Sequence, residues 1–180
     1  MDAVSLLPPY AHLTEEAVRC VAEASSRYGV PELLMHAVLL KENGRTGRCS
    51  RNKGRDGKKE TYDCGLAQIN SDWSEHFKRY NIQFEHIRDN ACLNIQASAY
   101  ILKRYYIRKE ADWFKAVVSY NIGPNNWTPP RYTVGHRYAS DVVSRWWQLH
   151  HWVVANNPTI SKESPVVSIA PAQAGTTRAN

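Results

Sequence analysis

Residues 31–44 read Pro31-Glu32-Leu33-Leu34-Met35-His36-Ala37-Val38-Leu39-Leu40-Lys41-Glu42-Asn43-Gly44. Proline suits the first turn of a helix, where its missing N–H costs nothing, and Asn43-Gly44 suits a left-handed helix end. Between them Leu34, Val38 and Glu42 fall in line at i, i+4 and i+8, so a carboxyl group continues an apolar stripe into a partly apolar groove. Desolvation disfavours the ionised carboxylate and raises its pKa. The negative end of the helix dipole pushes the same way. A carboxylic acid kept protonated near neutral pH is what a general acid requires. The plainer reading of Glu42 is a helix-end side chain that snorkels to solvent and pairs with Lys41 or with an arginine of the next loop.

Outward from this helix the chain is punctuated in the same manner. Thr14 followed by Glu15 and Glu16 predicts a helix start, Val18, Val21 and Ala22 an apolar stripe, and Gly29 a stop. Further helices are expected over 72–80, 90–109, 113–121 and 134–154, with Asp89 or Asn90 capping the second of these and Asp112 the third. The longest keeps Tyr138, Val142, Trp146, Leu149 and Val153 on one face. Residues 43–64 break the pattern: seven Arg or Lys and four Gly with no helical period, and Asp56-Gly57 as the turn of a short hairpin. From Asn156 the chain becomes polar, with Pro and Ala but no core residues beyond isolated Val and Ile. The expected organisation is an N-terminal extension over 1–13, one mainly α (α+β) domain with a small β-hairpin-like insertion over 14–155, and a flexible C-terminal tail over 156–180.

Composition sets the outer bounds. The chain has 180 residues with six Trp, ten Tyr and three Phe, which excludes disorder throughout. No apolar run approaches the roughly 20 residues of a spanning helix. A net charge of +6, from 23 basic and 17 acidic residues, favours acidic partners without choosing among them. Cys20, Cys49, Cys64 and Cys92 contain no C-x-x-C pair, which argues against a zinc site. Their even count allows two disulfides in three connectivities, and an oxidising compartment; four buried thiols is the alternative. The first residues, MDAVSLLPPYAH, have neither the basic nor the apolar region of a signal peptide, so export would require a mature form with an added or retained Met1.

Downstream of Lys41-Glu42-Asn43-Gly44 stand Asp63-Cys64-Gly65-Leu66-Ala67-Gln68-Ile69-Asn70, then Ser119-Tyr120-Asn121-Ile122-Gly123-Pro124, then Tyr138 in His136-Arg137-Tyr138-Ala139. This ordered set resembles the lysozyme-like (SLT) lytic transglycosylases, in which a helix-ending Glu-Ser precedes a Gly-Leu-Met-Gln-like segment, an Ala-Tyr-Asn-like one and a late Tyr. The resemblance covers about residues 14–147. More narrowly the chain is similar to the small VirB1-like enzymes of conjugation and specialised secretion in Gram-negative bacteria. Their cysteine pattern implies pairing Cys20 with Cys92, leaving Cys49 with Cys64; the second bridge would hold the basic insertion beside Glu42 and Asp63.

What the resemblance implies is cleavage of the β-1,4 bond between N-acetylmuramic acid and N-acetylglucosamine in peptidoglycan, in the periplasm, without metal or cofactor. Glu42 would protonate the leaving oxygen and then, as a base, take the C6 hydroxyl proton so that a 1,6-anhydro ring closes. Gln68 and Asn121 would bond sugar amide and hydroxyl groups, Tyr120 and Tyr138 would shape the groove around Glu42, and Trp127 and Trp73 would stack on sugar faces or serve as core. The basic loop would meet muropeptide carboxylates or remain a solvated surface.

Two positions depart from the family pattern. Asn43 stands where the family has Ser, in a place where Asn tolerates the left-handed conformation. Asp63 stands where animal-type (c-type) lysozymes carry a second carboxylate; two carboxyl groups about 5 Å apart support retention of configuration, so Asp63 either stabilises positive charge or orders the hairpin. The rival functions are a lysozyme-type muramidase using Glu42 and Asp63, and a non-catalytic peptidoglycan-binding adaptor. A nucleic-acid partner is not expected, since no recognised motif accompanies the basic loop. The tail is a candidate docking segment for secretion- or conjugation-system proteins.

Overall fold

The computed structural model describes residues 13–53 and 59–156. Thr14 opens α1 (Glu15–Tyr28) by accepting the Ala17 N–H at 3.2 Å, and Gly29 closes it at φ 61°. In α2 (Glu32–Glu42) the residues from Leu34 to Leu39 are all buried. The stripe expected at Leu34 and Val38 is thus one side of a helix that is apolar all round, because α2 lies inside the molecule between α1 and the last helix. Asn43 ends α2 in the left-handed conformation at φ 51°, its N–H bonded to Leu39 O at 2.9 Å.

The basic insertion carries β1 (Cys49–Asn52), followed by β2 (Thr61–Cys64) and β3 (Ile69–Asn70) in an antiparallel sheet of order β1-β2-β3. Ser50 faces Asp63 across the first pair, and Asp63 faces Asn70 across the second. The expected hairpin is therefore the first half of a three-stranded sheet; β3, only two residues long, is too short for an alternating pattern to announce it. The Asp56-Gly57 turn lies outside the described residues.

The helix expected over 72–80 is divided into a 3₁₀ turn, Ser71–Trp73, and α3 (Ser74–Lys78), because the Asn70 side chain caps the turn by accepting Asp72 N–H at 2.9 Å. A further helix, α4 (Phe84–Asp89), follows; with Ile87 its one buried residue, it has no stripe to read. Asn90, not Asp89, caps α5 (Ala91–Arg108), accepting Leu93 N–H at 2.8 Å. Asp112 caps α6 (Trp113–Ile122) through Lys115 N–H at 2.9 Å. The last helix, α7 (Arg131–Asn156), begins three residues before the expected 134, and buries Tyr138, Ala139, Val142, Trp146, Leu149 and Val153.

Helix α1 packs on α5, α5 on α6, and α6 and α2 on α7. Disulfides join Cys20 to Cys92, tying α1 to the start of α5, and Cys49 to Cys64, tying β1 to β2. The result is a mainly α, lysozyme-like fold in which the small sheet stands beside the end of α2. No helix among the described residues is long and apolar enough to cross a membrane. The extension before Leu13 and the tail after Asn156 lie outside the described residues.

Candidate active site

Glu42 is the last residue of a buried helix, so its backbone is fixed by the core while its side chain leaves it. Burial pushes the Glu42 carboxyl up to about 7, and the negative charge of Asp63 adds to the rise. The hydrogen bond donated by the Tyr138 hydroxyl to Oε1, and the Lys41 ammonium, act against these. Lys41 does not pair with Glu42, the partner the plainer reading allowed it; its Nζ bonds Asp141 Oδ2 on α7 at 2.5 Å. The carboxyl is left close to half protonated at neutral pH, so it can both give and take a proton.

Asp63 is gripped at both oxygens. Asn52 Nδ2 of β1 donates to Oδ2 and Asn70 Nδ2 of β3 donates to Oδ1, each at 2.7 Å. The strands either side of β2 therefore hold the carboxylate as an oriented acceptor. Asn70 also bonds Thr61 Oγ1 at 3.0 Å, on the same face of β2.

The turn between β2 and β3 is locked to the helical body by Asn94 of α5, which is fully buried. Its Oδ1 accepts Ala67 N–H at 2.7 Å, and its Nδ2 donates to Cys64 O at 3.0 Å and to Ile87 O at 3.1 Å. A Cβ on Gly65, which sits at φ 75°, would lie 2.1 Å from that Nδ2, so only glycine allows this approach. Gly44, two residues after Glu42, meets the same turn: its Cβ would lie 2.1 Å from Gly65 O and 2.9 Å from Gln68 Nε2. The end of α2 and the turn that follows Asp63 are thereby in direct backbone contact.

Gln68 lies against Gly44, but its Nε2 donates to Gly65 O at 2.9 Å, so the side chain braces the turn. Tyr120 of α6 donates to Ala67 O at 2.8 Å and stands 3.0 Å from Ser98 Oγ on α5. Burial raises the Tyr120 pKa, and the nearby charge of Glu42 raises it further. Tyr138 is raised for the same two reasons. Asn121 and Asn43 are exposed. Trp127 packs against Tyr132 at 5.7 Å between ring centroids and carries Lys109 Nζ over its face at 4.2 Å. Trp73 packs against His76, Phe77 and Tyr105.

The structure thus brings Glu42, Asp63, Tyr120, Tyr138 and the Gln68 turn together, and sets both tryptophans in packed clusters. Sequence reasoning did not single out Asn52, Asn70, Asn94 or Ser98. Asn52 and Asn70 are legible only once the strand register is known; a lone buried Asn inside a helix gives no periodic signal at all.

The site thus combines a carboxylic acid at the end of a core helix, a held carboxylate on a three-stranded sheet and two tyrosines behind the acid. The family model of the transglycosylase SLT domain matches residues 19–140, which contain every one of these groups. The chain belongs to the transglycosylase SLT family. Membership supports a lytic transglycosylase-type, peptidoglycan-acting function. Among SLT-family relatives it is similar to Protein IpgF of Shigella flexneri, at 27% identity over 78% of this chain and 88% of that protein. Invasion protein IagB of Salmonella typhimurium is 27% identical over 72% of this chain and 76% of its own length. A peptidoglycan-binding-like protein of Escherichia coli O157:H7 is 27% identical over 58% of this chain and 64% of its own.

Proposed function

We propose that this chain is a lytic transglycosylase that cuts the β-1,4 bond between N-acetylmuramic acid and N-acetylglucosamine and leaves a 1,6-anhydromuramoyl end. The observation that carries the reading is the Glu42 carboxyl, poised at about 7 between burial and the Tyr138 hydrogen bond. Protonated, it gives its proton to the leaving glycosidic oxygen; ionised, it accepts the C6 hydroxyl proton as that oxygen closes on the anomeric carbon. The substrate's N-acetyl carbonyl and the Asp63 carboxylate stabilise the cationic sugar centre between the two steps. Asn43, Gln68, Asn121 and Trp127 are proposed sugar contacts, and Tyr120 shapes the groove.

The setting proposed is the periplasm, where oxidising conditions suit two disulfides. Similarity to an invasion protein supports a role in opening the wall locally for a secretion or conjugation apparatus. In this reading residues 14–155 form the catalytic unit, and 156–180 dock a machine protein; a chain lacking 156–180 that bound the same partners unchanged would end the docking proposal.

Mass spectrometry of soluble muropeptides after digestion of purified peptidoglycan tests the chemistry, with Glu42→Gln alongside. Products ending in 1,6-anhydromuramic acid, absent with the variant, are expected. The grip on Asp63 favours one second reading, a muramidase in which water replaces the C6 hydroxyl. Reducing ends, one water heavier, would establish it. Binding without any product would leave an adaptor.

A further inference from the structure

Away from Glu42, one surface gathers hydrogen-bond donors and aromatic rings that have no ion-paired acid among the described residues. Tyr100 and Arg104 stand one turn apart on α5, turned roughly 200° and 240° around the helix from Ser98, the residue behind Tyr120. Tyr100 hydroxyl lies 2.8 Å from His76 Nε2 of α3, and the two rings stack at 5.3 Å and 29°. Arg104 Nη1 donates to the same hydroxyl at 3.4 Å. The Tyr80 ring lies 5.6 Å from that of His76 and is 61% exposed. Burial holds His76 below its ordinary pKa, and the guanidinium groups of Arg104 and Arg79 lower it further, so both cations bear on this corner. Among the described residues neither arginine forms an ion pair, as is true of most arginines of this basic chain.

We propose that Tyr80, His76, Tyr100 and Arg104 form a second peptidoglycan-binding surface, in which a sugar ring rests on Tyr80 and a carboxylate of the attached stem peptide is held by Arg104. The inference rests on the peptidoglycan reading of the site and adds a subsite on the opposite face of α5. The donor set is what selects the ligand. A neutral glycan has no use for two unpaired guanidinium groups, which bind carboxylates through paired N–H donors. A bare phosphate has no use for an exposed aromatic face. A stem-bearing saccharide uses both, offering the C–H face of a sugar to Tyr80 and an anion to Arg104. Held here, one strand keeps the protein on the wall while the groove at Glu42 works on another.

The test is an NMR titration of the Glu42→Gln protein, which does not consume its ligand, with the disaccharide tripeptide of peptidoglycan. Chitotetraose and inorganic phosphate serve as controls. We expect the muropeptide to move the His76, Tyr80 and Tyr100 ring signals and to raise the His76 titration midpoint, because a bound anion favours the imidazolium. Arg104→Gln should weaken that binding about tenfold or more; Arg104→Lys should recover part of it, since it keeps the charge and loses the planar fork. Unmoved His76 signals, equal binding by Arg104→Gln, an equal response to chitotetraose, or phosphate alone reproducing the muropeptide's effect would each overturn the proposal. The two readings fail separately. Wild-type protein that releases no muropeptide from sacculi ends the lytic function, whereas an active enzyme whose His76 ignores muropeptide ends only this surface.

Discussion

The Tyr138 hydroxyl donates a hydrogen bond to Glu42 across 96 positions of sequence, joining the first third of α7 to the end of α2. The bond stabilises the carboxylate while burial of the same group stabilises the acid. In the proposed mechanism the group acts first as acid and then as base, and neither influence alone suits that sequence. Together they leave it near neutrality, and Asp63 is placed to tip the balance.

If Glu42 is the acid as proposed, cleavage should fall as pH rises through about 7, where its carboxyl gives up its proton. Tyr138→Phe removes an influence that lowers this pKa and should move the alkaline limb of kcat/KM to higher pH. Asp63→Asn removes one that raises it and should move the limb to lower pH. Rates of muropeptide release across a pH series for the three proteins check both directions. A limb that stays put in both variants would detach Glu42 from it.

Asp63→Asn should also slow the reaction by about 100-fold, the scale of losing one aimed electrostatic contact to a charged transition state. The substitution places an amide where Asn52 and Asn70 both offer N–H donors, so one contact becomes donor against donor. Thermal unfolding distinguishes the outcomes. A large fall in rate with a small change in Tm assigns Asp63 to the chemistry; full activity would restrict it to ordering the sheet.

The elements that could be read from sequence are those with their own caps and periods. Thr14, Gly29 and Asp112 act where local chemistry predicts, and the stripe on α7 is buried as expected. The line from Leu34 through Val38 to Glu42 led to the acid, although α2 is buried on every side and not along one stripe. The missed elements, α4 and β3, are too short to carry a period. Tryptophan was the least informative residue type, because a ring stacked on a sugar and one packed against Tyr105 leave the same mark in a sequence.

Glu42→Gln should abolish cleavage and stabilise the fold above neutrality. The unfolded carboxyl loses its proton near its ordinary value of 4.5, the folded one at about 7. Between these values the native state holds the extra proton, so wild-type stability falls as pH rises through the window and stays low above it. The neutral amide pays no such penalty. The variant should gain of the order of 2 kcal/mol at pH 8 relative to wild type and lose that advantage at pH 4, as denaturant unfolding at the two pH values would show. An equal difference at both would mean that ionisation of Glu42 is not what the fold resists.

Asn94→Leu keeps the approximate volume of a fully buried side chain and removes its three hydrogen bonds. Cys64 O, Ile87 O and Ala67 N–H would be left unpaired, at a cost of about 2–4 kcal/mol. Because the turn it holds touches Gly44 and supplies Ala67 O to Tyr120, the loss should spread to the site. Asp63 would no longer be held in place beside Glu42, so the alkaline limb should shift to lower pH, as with Asp63→Asn, at temperatures where the variant is still folded. A variant that is less stable yet keeps the wild-type pH profile would limit Asn94 to the fold; one that shifts the profile makes this buried amide the link between the sheet and the acid.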